Sequence, residues 1–194
     1  MEELTKRVKE ITDGVYPLSV QAFSELSNIW VSESYLKGDL IIQKNRPNNK
    51  EYFLLDGVCK SYVVNTEGEE VIISFFTENQ IFSPHSIRIS KGFSNQYFQA
   101  STDVELVSMD AKLFENLMIE NEEIRNFGNT VMQNELIGKV EKEIGLASFS
   151  AKDRLIAFRE RYTSLENRIP HTEIASYLGI TNISLSRLRR ELIG

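Results

Sequence analysis

The chain has 194 residues, of which 41% are hydrophobic and 26% are charged, the balance of an ordinary globular protein. No run approaches the roughly 20 apolar residues of a membrane span, and the charged N-terminal segment lacks the apolar centre of a signal peptide. We therefore expect a cytoplasmic protein that does not bind membranes. The single cysteine, Cys59, excludes a disulfide within the chain and any all-cysteine metal or iron–sulfur site.

The net charge of −6 is divided unevenly along the chain. Residues 151–194 contain eight Lys and Arg against five Asp and Glu, whereas the preceding 150 residues contain 14 against 23. The C-terminal segment is therefore basic, at +3, and the rest is acidic, at −9. This asymmetry indicates a nucleic-acid-binding segment attached to a body that does not contact phosphate.

The first 27 residues predict helices interrupted near Gly14 and Pro17. From Ile29 to Met109, short runs of strand-forming residues alternate with glycine-, asparagine- and aspartate-containing turns. The runs are LIIQ, EYFLLD, VCKSYVVN, EVIISFF, NQYFQAS and VELVSM. Their regular spacing predicts an all-β roll or barrel rather than a fold of alternating strands and helices.

After Asp110 the pattern is helical, with a short amphipathic helix in AKLFENLMI and a long helix from about residue 121 to 146. The apolar positions of the long helix are Ile124, Phe127, Val131, Leu136, Val140 and Ile144. A narrow stripe on a long helix predicts packing against a second copy of the chain, and we assign Phe127, Val131 and Val140 to the dimer interface. The alternative is that the stripe packs on the β domain. Residues 148–150 are the predicted hinge to a C-terminal domain.

Residues 171–190, HTEIASYLGITNISLSRLRR, have the pattern of a helix-turn-helix. Ala175 is small where the second helix crosses the first, and Gly179 tolerates a left-handed backbone at the turn. Thr181 can cap the second helix. The apolar residues that would fill the wedge between the helices are Ile174, Leu178, Ile180, Leu185 and Leu188. The alternative is an ordinary helical hairpin.

The outer face of the second helix favours DNA recognition over the ordinary hairpin, because it carries donors and cations where a major groove would lie. The predicted DNA contacts are Thr181, Asn182, Ile183, Ser186, Arg187, Arg189 and Arg190. We assign Arg187 to base readout and Arg189 and Arg190 to phosphates. The predicted partner is double-stranded, palindromic DNA, bound by a homodimer in successive major grooves about 34 Å apart.

A β roll, a long helix and a terminal helix-turn-helix, in this order, resemble the Crp/Fnr family of bacterial transcription regulators. The segment RYTSLENRIPHTEIASYLGITNISLSRLRR is similar to the Bacteroidetes branch in particular. The resemblance implies an α+β chain with three parts. Residues 1–120 would form a double-stranded β-helix, a jelly-roll-like β roll of the cyclic-nucleotide-binding type with flanking helices. Residues 121–147 would form the dimerisation helix, and residues 148–194 a winged-helix-type head containing the helix-turn-helix.

The resemblance also implies contact with RNA polymerase. Only four residues follow the predicted recognition helix, so we expect little or no C-terminal wing on the head.

The effector region departs from the members of this family that bind cyclic AMP. Those members carry a Gly-Glu-Leu-like run, followed further on by Arg and then Ser or Thr, which hold the ribose hydroxyl and the cyclic phosphate. Ser83, Pro84 and His85 stand where the first run is expected, and Ser94 and Asn95 stand where the second is expected. Cyclic AMP is therefore not the expected effector. We keep these five residues as the candidate pocket for an unknown small molecule, or for none.

Other cofactors and catalysis find little support in the residues. His85 is the single candidate haem ligand in the effector region, and a lone histidine there is more typical of a surface or hydrogen-bonded side chain. A metal enzyme on a jelly roll needs two or three histidines and a carboxylate converging inside it, and no serine or cysteine stands in a recognisable nucleophile motif. We expect no metal, no cofactor and no enzymatic activity. The remaining alternative to a DNA-binding regulator is a ligand-sensing module without DNA binding.

Overall fold

The computed structural model describes residues 2–82 and 92–192. Two N-terminal helices, α1 (Glu2–Val15) and α2 (Val20–Ser27), precede a β roll of eight strands. The strands are β1 (Trp30–Tyr35), β2 (Leu40–Ile42), β3 (Lys50–Asp56), β4 (Cys59–Val64), β5 (Glu70–Phe76), β6 (Gln80–Phe82), β7 (Tyr97–Ala100) and β8 (Val104–Asp110).

Helices make up the rest of the described chain. The first two are α3 (Ala111–Glu120) and the long α4 (Glu122–Ser148). The C-terminal head follows, with α5 (Ala151–Arg161), a 3-10 turn at Leu165–Asn167, α6 (His171–Leu178) and α7 (Asn182–Glu191). The break between α4 and α5 coincides with the predicted hinge, since Phe149 ends one helix and the Ser150 side chain caps the next.

The roll consists of two four-stranded antiparallel sheets, with strand orders β1-β8-β3-β6 and β2-β7-β4-β5. β-branched and aromatic residues fill the strands and alternate between the two faces of each sheet. The β4–β5 pairing contains a bulge, because Ser61 pairs with Ser74 while Tyr62 pairs with Ile72. Ile73 is therefore the extra residue on β5, which is the edge strand of its sheet.

The interior of the roll is filled by apolar and aromatic side chains. The ring of Tyr52 stacks on Phe82 at 4.8 Å between centroids, and Phe82 also packs against Phe76 at 4.8 Å and Phe98 at 5.7 Å. Cys59 is buried in the same cluster, where burial raises the pKa of its thiol to about 12. These side chains occupy the space between the two sheets.

The outer face of the β1-β8-β3-β6 sheet packs against helices α1 to α4. Phe53, Val107 and Met109 point to this face because they alternate with residues that point into the roll. Phe127 of α4 is fully buried here, and its ring stacks on Phe53 at 6.2 Å. This second core joins the N-terminal half of the long helix to the roll.

The long helix has two apolar stripes rather than the one that the sequence predicted. Phe127 and Val131 are buried in the chain's own core, so their assignment to the dimer interface is wrong. Ile137, Val140 and Ile144 are 54%, 44% and 53% exposed and form a second stripe. Ile137 lies six positions after Val131, and at about 100° per residue this step turns the second stripe about 120° away from the first. The alternative of packing on the β domain is therefore correct for the first half of the helix.

The predicted fold class is confirmed, and all six predicted strand runs contain a strand. The sequence pattern did not predict β1 and β6. β1, with the sequence WVSESY, is a half-exposed edge strand whose polar residues hide the strand pattern. β6 has only three residues.

Candidate nucleic-acid interface

Helices α6 and α7 form the predicted helix-turn-helix. Gly179 ends α6 in the left-handed conformation, with φ of 66°, and its N–H donates to Ser176 O at 3.1 Å. Ile180 N–H donates to Ala175 O at 3.0 Å and closes the turn. Thr181 then caps α7, since its Oγ1 accepts the N–H of Ser184 at 3.2 Å. A side chain at position 179 would be strained because residues other than glycine rarely adopt this φ.

A wedge of apolar side chains fixes the angle between the two helices. Ile174, Leu178 and Leu185 are buried, and Ala175 is buried where the helices approach each other. Ile180 and Leu188 pack on the edge of the same cluster. All of the apolar positions that the sequence assigned to the wedge therefore lie in it, and α7 is held as a rigid element.

The outer face of α7 is open to solvent. Asn182, Ile183, Ser186, Arg187 and Arg190 are all exposed, and Ile183 is among the most exposed large apolar residues of the described chain. Arg187 has no hydrogen bond or ion pair with any described residue, whereas Arg190 Nε donates only to Ser186 O within its own helix, at 3.4 Å. The face presents donors, cations and one apolar side chain along a single helix.

Arg189 does not share this open face. Its Nε lies 3.1 Å from Glu166 Oε1, and its Nη1 lies 2.6 Å from His171 Nε2. Glu166 also accepts a hydrogen bond from Arg159 Nε at 2.5 Å. The structure therefore places Arg189 in an ion-pair cluster inside the head, and its predicted phosphate contact would require this pair to open. The sequence does not predict this ion pair, because Glu166 lies in the 3-10 turn before α6 and only the fold brings it close to Arg189.

The head is packed against the roll through α6 and strand β5. Ser176 Oγ donates to Glu70 O at 2.9 Å and accepts the N–H of Ile72 at 3.0 Å. Lys60, on the neighbouring strand β4, is buried between Glu70 at 2.7 Å and Glu173 of α6 at 2.9 Å. The two carboxylates hold the pKa of Lys60 above its ordinary value although burial alone would lower it.

Two further contacts extend this interface beyond α6. Arg168 pairs with Glu78 through its two terminal nitrogens, Nη1 and Nη2, and this pairing lowers the pKa of the Glu78 carboxyl. Tyr162 OH donates to Phe75 O at 3.3 Å. Val58, Tyr62, Ile72 and Phe75 of the roll belong to the same apolar cluster as the wedge of the head. The head and the roll thus share one core.

The predicted effector residues fall into two groups. Ser83, Pro84 and His85 lie outside the described residues. Ser94 is buried, and its Oγ donates to Gln96 O at 2.6 Å and accepts the N–H of Gln96 at 3.2 Å, so the hydroxyl serves the loop before β7. Asn95 is exposed. The structure does not bring Ser94 and Asn95 together on a pocket.

A polar cluster lies on the inner face of the roll, near β1. Glu33 accepts hydrogen bonds from Lys50 Nζ at 2.7 Å, from Tyr35 OH at 2.6 Å and from the Ser108 hydroxyl. Burial alone would raise the pKa of Glu33, but these three donors together lower it. The carboxylate is thus held by hydrogen bonds from three side chains of the roll.

Within the described part of the chain, no three His, Cys, Asp or Glu side chains gather as a metal-binding group. Among the same residues, no helix has the length and apolarity that a membrane span requires.

Comparison with known proteins identifies the roll. Residues 32–121 match the family model of the cyclic nucleotide-binding domain. Electron transport regulator A of Shewanella oneidensis is 24% identical over 164 residues, which are 78% of this chain and 64% of that protein. An anaerobic regulatory protein of Pasteurella multocida is 25% identical over 186 residues, which are 89% of this chain and 67% of that protein. The chain therefore spans about two thirds of the length of these relatives.

Solved structures share the fold over most of the chain. FixK2 from Bradyrhizobium japonicum has a TM-score of 0.72 at 19% identity, covering 84% of each chain. A protein from Eubacterium rectale, assigned to the crp/fnr family of transcriptional regulators, has a TM-score of 0.70 at 19% identity, covering 90% of this chain and 83% of that one. The finer likeness to the Bacteroidetes branch stays a prediction. The resemblance seen in the sequence is otherwise confirmed: residues 32–121 match the cyclic nucleotide-binding domain, and the chain has the fold of Crp/Fnr-family regulators.

Proposed function

We propose that the protein is a transcription regulator that binds double-stranded DNA in a sequence-specific manner, acts as a homodimer and is not an enzyme. The observation that carries the proposal is the outer face of α7, where Asn182, Ser186, Arg187 and Arg190 are exposed on a helix held rigidly by the wedge. A helix of this kind fits the major groove, whose base edges are read by such donors. The names of the relatives, an anaerobic regulatory protein and an electron transport regulator, support the same conclusion.

Two heads are needed for a palindromic site, and the second apolar stripe of α4 offers the surface that would join them. Ile137, Val140 and Ile144 follow steps of three and four residues, the spacing of a coiled-coil seam. All three side chains are exposed, whereas the first stripe is covered by the roll. We propose that this second stripe forms the dimer interface; of the three residues assigned to the interface from the sequence, it contains Val140.

The effector, if the protein has one, is a small molecule other than cyclic AMP. Two observations support this part of the proposal. Neither a glutamate nor an arginine stands at the positions that match the cyclic AMP site, and the described aromatic residues already stack inside the roll. Regulation of transcription also implies a cytoplasmic location and contact with RNA polymerase, which the family resemblance supports.

The proposal can be tested with DNA selected by the wild-type protein from randomised duplexes. Arg187→Ala should lower the affinity for the selected sequence about 30-fold or more, because a bidentate arginine–base contact is worth about 1–3 kcal/mol and a homodimer loses two of them. Arg46→Ala is the matched control, since Arg46 is also exposed but lies on the roll. If both variants bind the selected DNA as the wild type does, Arg187 does not read a base. If affinity is also independent of salt concentration, the protein does not bind DNA through phosphate contacts.

A further inference from the structure

Lys142 joins three parts of the molecule that are distant in the sequence. It lies on α4, near the end of the long helix, and its Nζ donates to Ile72 O at 3.0 Å and to Ile73 O at 2.6 Å on β5 of the roll. The same Nζ lies 4.0 Å from the centre of the Tyr177 ring, on α6 of the head. From its position on the long helix, the ammonium group therefore contacts both the roll and the helix-turn-helix.

The two carbonyl acceptors are available because of the β-bulge. Ile73 is the extra residue where β5 passes Ser61 and Tyr62 of β4, so the strand pairing is interrupted there. β5 is also an edge strand, and no strand of the described residues pairs with its outer side. Lys142 supplies the donors that this stretch of backbone lacks. The bulge and the lysine therefore fit each other.

Two carbonyl oxygens and the Tyr177 ring hold Lys142 in place, and no opposite charge of a described residue contributes. The lysine forms no ion pair with a described residue, and the nearby Arg161 guanidinium repels it. Burial, with a smaller contribution from Arg161, lowers the pKa of Lys142 to about 8, so most of the amine is protonated at neutral pH. Its three N–H donors match two carbonyls and one ring face.

These contacts bear on the angle between the long helix and the head. Ser176 and Lys60 attach the head to the roll, whereas Arg161 of α5 attaches it to α4, where Nη1 lies 3.5 Å from Gly138 O and 3.6 Å from Glu141 Oε2. Lys142 contacts the roll and the head at once. Lys142 lies on α4, seven residues before the Phe149–Ser150 hinge, and holds both β5 and Tyr177. A small rotation at the hinge would break at least one of its three contacts.

We propose that Lys142 is a positioning residue for DNA recognition. It fixes the angle of the head relative to the long helix and thereby the separation of the two recognition helices in the dimer. The inference rests on the proposed function, since it concerns how two heads meet one palindrome. It assigns no DNA contact to Lys142 itself.

The test compares a full palindrome with a single half-site, both taken from DNA selected by the wild-type protein. Binding a half-site needs one correctly folded head, whereas tight binding of the palindrome needs two heads at the right separation. Lys142→Met keeps the length of the side chain and removes its charge and donors. We expect it to weaken palindrome binding about tenfold or more while leaving half-site binding within about twofold, because the gain from bivalency is lost when the geometry is wrong.

Two further variants complete the design. Lys139→Met is the matched control, because Lys139 lies on the same helix but pairs only with Glu135 at the surface, and we expect it to change neither affinity. Lys142→Arg retains the charge and the donors, so a change in its DNA binding cannot be attributed to the loss of either. Its larger head group should shift the preferred half-site spacing. The inference is overturned if Lys142→Met weakens both DNAs equally or neither, or if the preferred spacing of Lys142→Arg is unchanged. If selection with the wild-type protein enriches no duplex at all, the proposed function fails as well.

Discussion

Truncation of Ile137 to alanine should weaken the dimer without unfolding the chain. Fully burying an isoleucine side chain is worth about 1.5–3 kcal/mol. Because Ile137 is 54% exposed in the single chain, about half of this, roughly 1 kcal/mol, remains to be gained at an interface. Each dimer contains two copies, so the substitution should cost about 2 kcal/mol of dimerisation free energy, or about 30-fold in the dissociation constant.

Sedimentation equilibrium over a range of protein concentrations measures this dissociation constant directly. Val20→Ala is a suitable control, because Val20 is 85% exposed on α2, away from the second stripe. We expect the control to dimerise as the wild type does. The reasoning is refuted if Ile137→Ala dimerises as tightly as the wild type, since the second stripe would then not be the interface.

Two other substitutions test the interior of the molecule. Phe127→Ala should lower the free energy of unfolding by about 3–5 kcal/mol, as measured by urea denaturation, because it leaves a cavity in the core beneath α4; a weaker dimer with unchanged stability would restore Phe127 to the interface. Glu33→Gln should destabilise the roll at neutral pH. The lowered pKa of Glu33 means that its ionised form contributes stability above the ordinary value of 4.5, and that this contribution is lost as the pH falls through the folded-state pKa. The difference in unfolding free energy between this variant and the wild type should therefore narrow below pH 4.5, and a constant difference would contradict the assigned hydrogen bonds.

The helix-turn-helix could be predicted in detail because its constraints are local. The small residue, the left-handed glycine, the capping threonine and the wedge all lie within twenty residues, and each has one physical reason. The strands of the roll could be predicted for a similar reason, since turn residues separate runs of strand-forming side chains. β1 was not predicted because its polar residues, which suit an exposed edge, interrupt the pattern of strand-forming side chains.

Which face of the long helix packs on the roll could not be predicted from the local sequence. Its apolar residues were combined into one stripe, but the five-residue step from Val131 to Leu136 already marks a change of face. Which stripe meets the roll depends on where the sheet ends, and this is a property of the tertiary fold. The same limit applies to Arg189, which pairs with Glu166, and to Lys142, whose acceptors lie on a strand some seventy residues earlier.

The central claim is that α7 reads DNA in a dimer. Its most direct test is the dissociation constant of the wild-type protein for the selected palindrome and for a scrambled duplex of equal length, measured across a series of salt concentrations. The account predicts two chains per palindrome, an affinity at least about 10³-fold higher than for the scrambled duplex, and binding that weakens steeply with salt. Equal affinity for the two duplexes, or binding that does not change with salt, would contradict it.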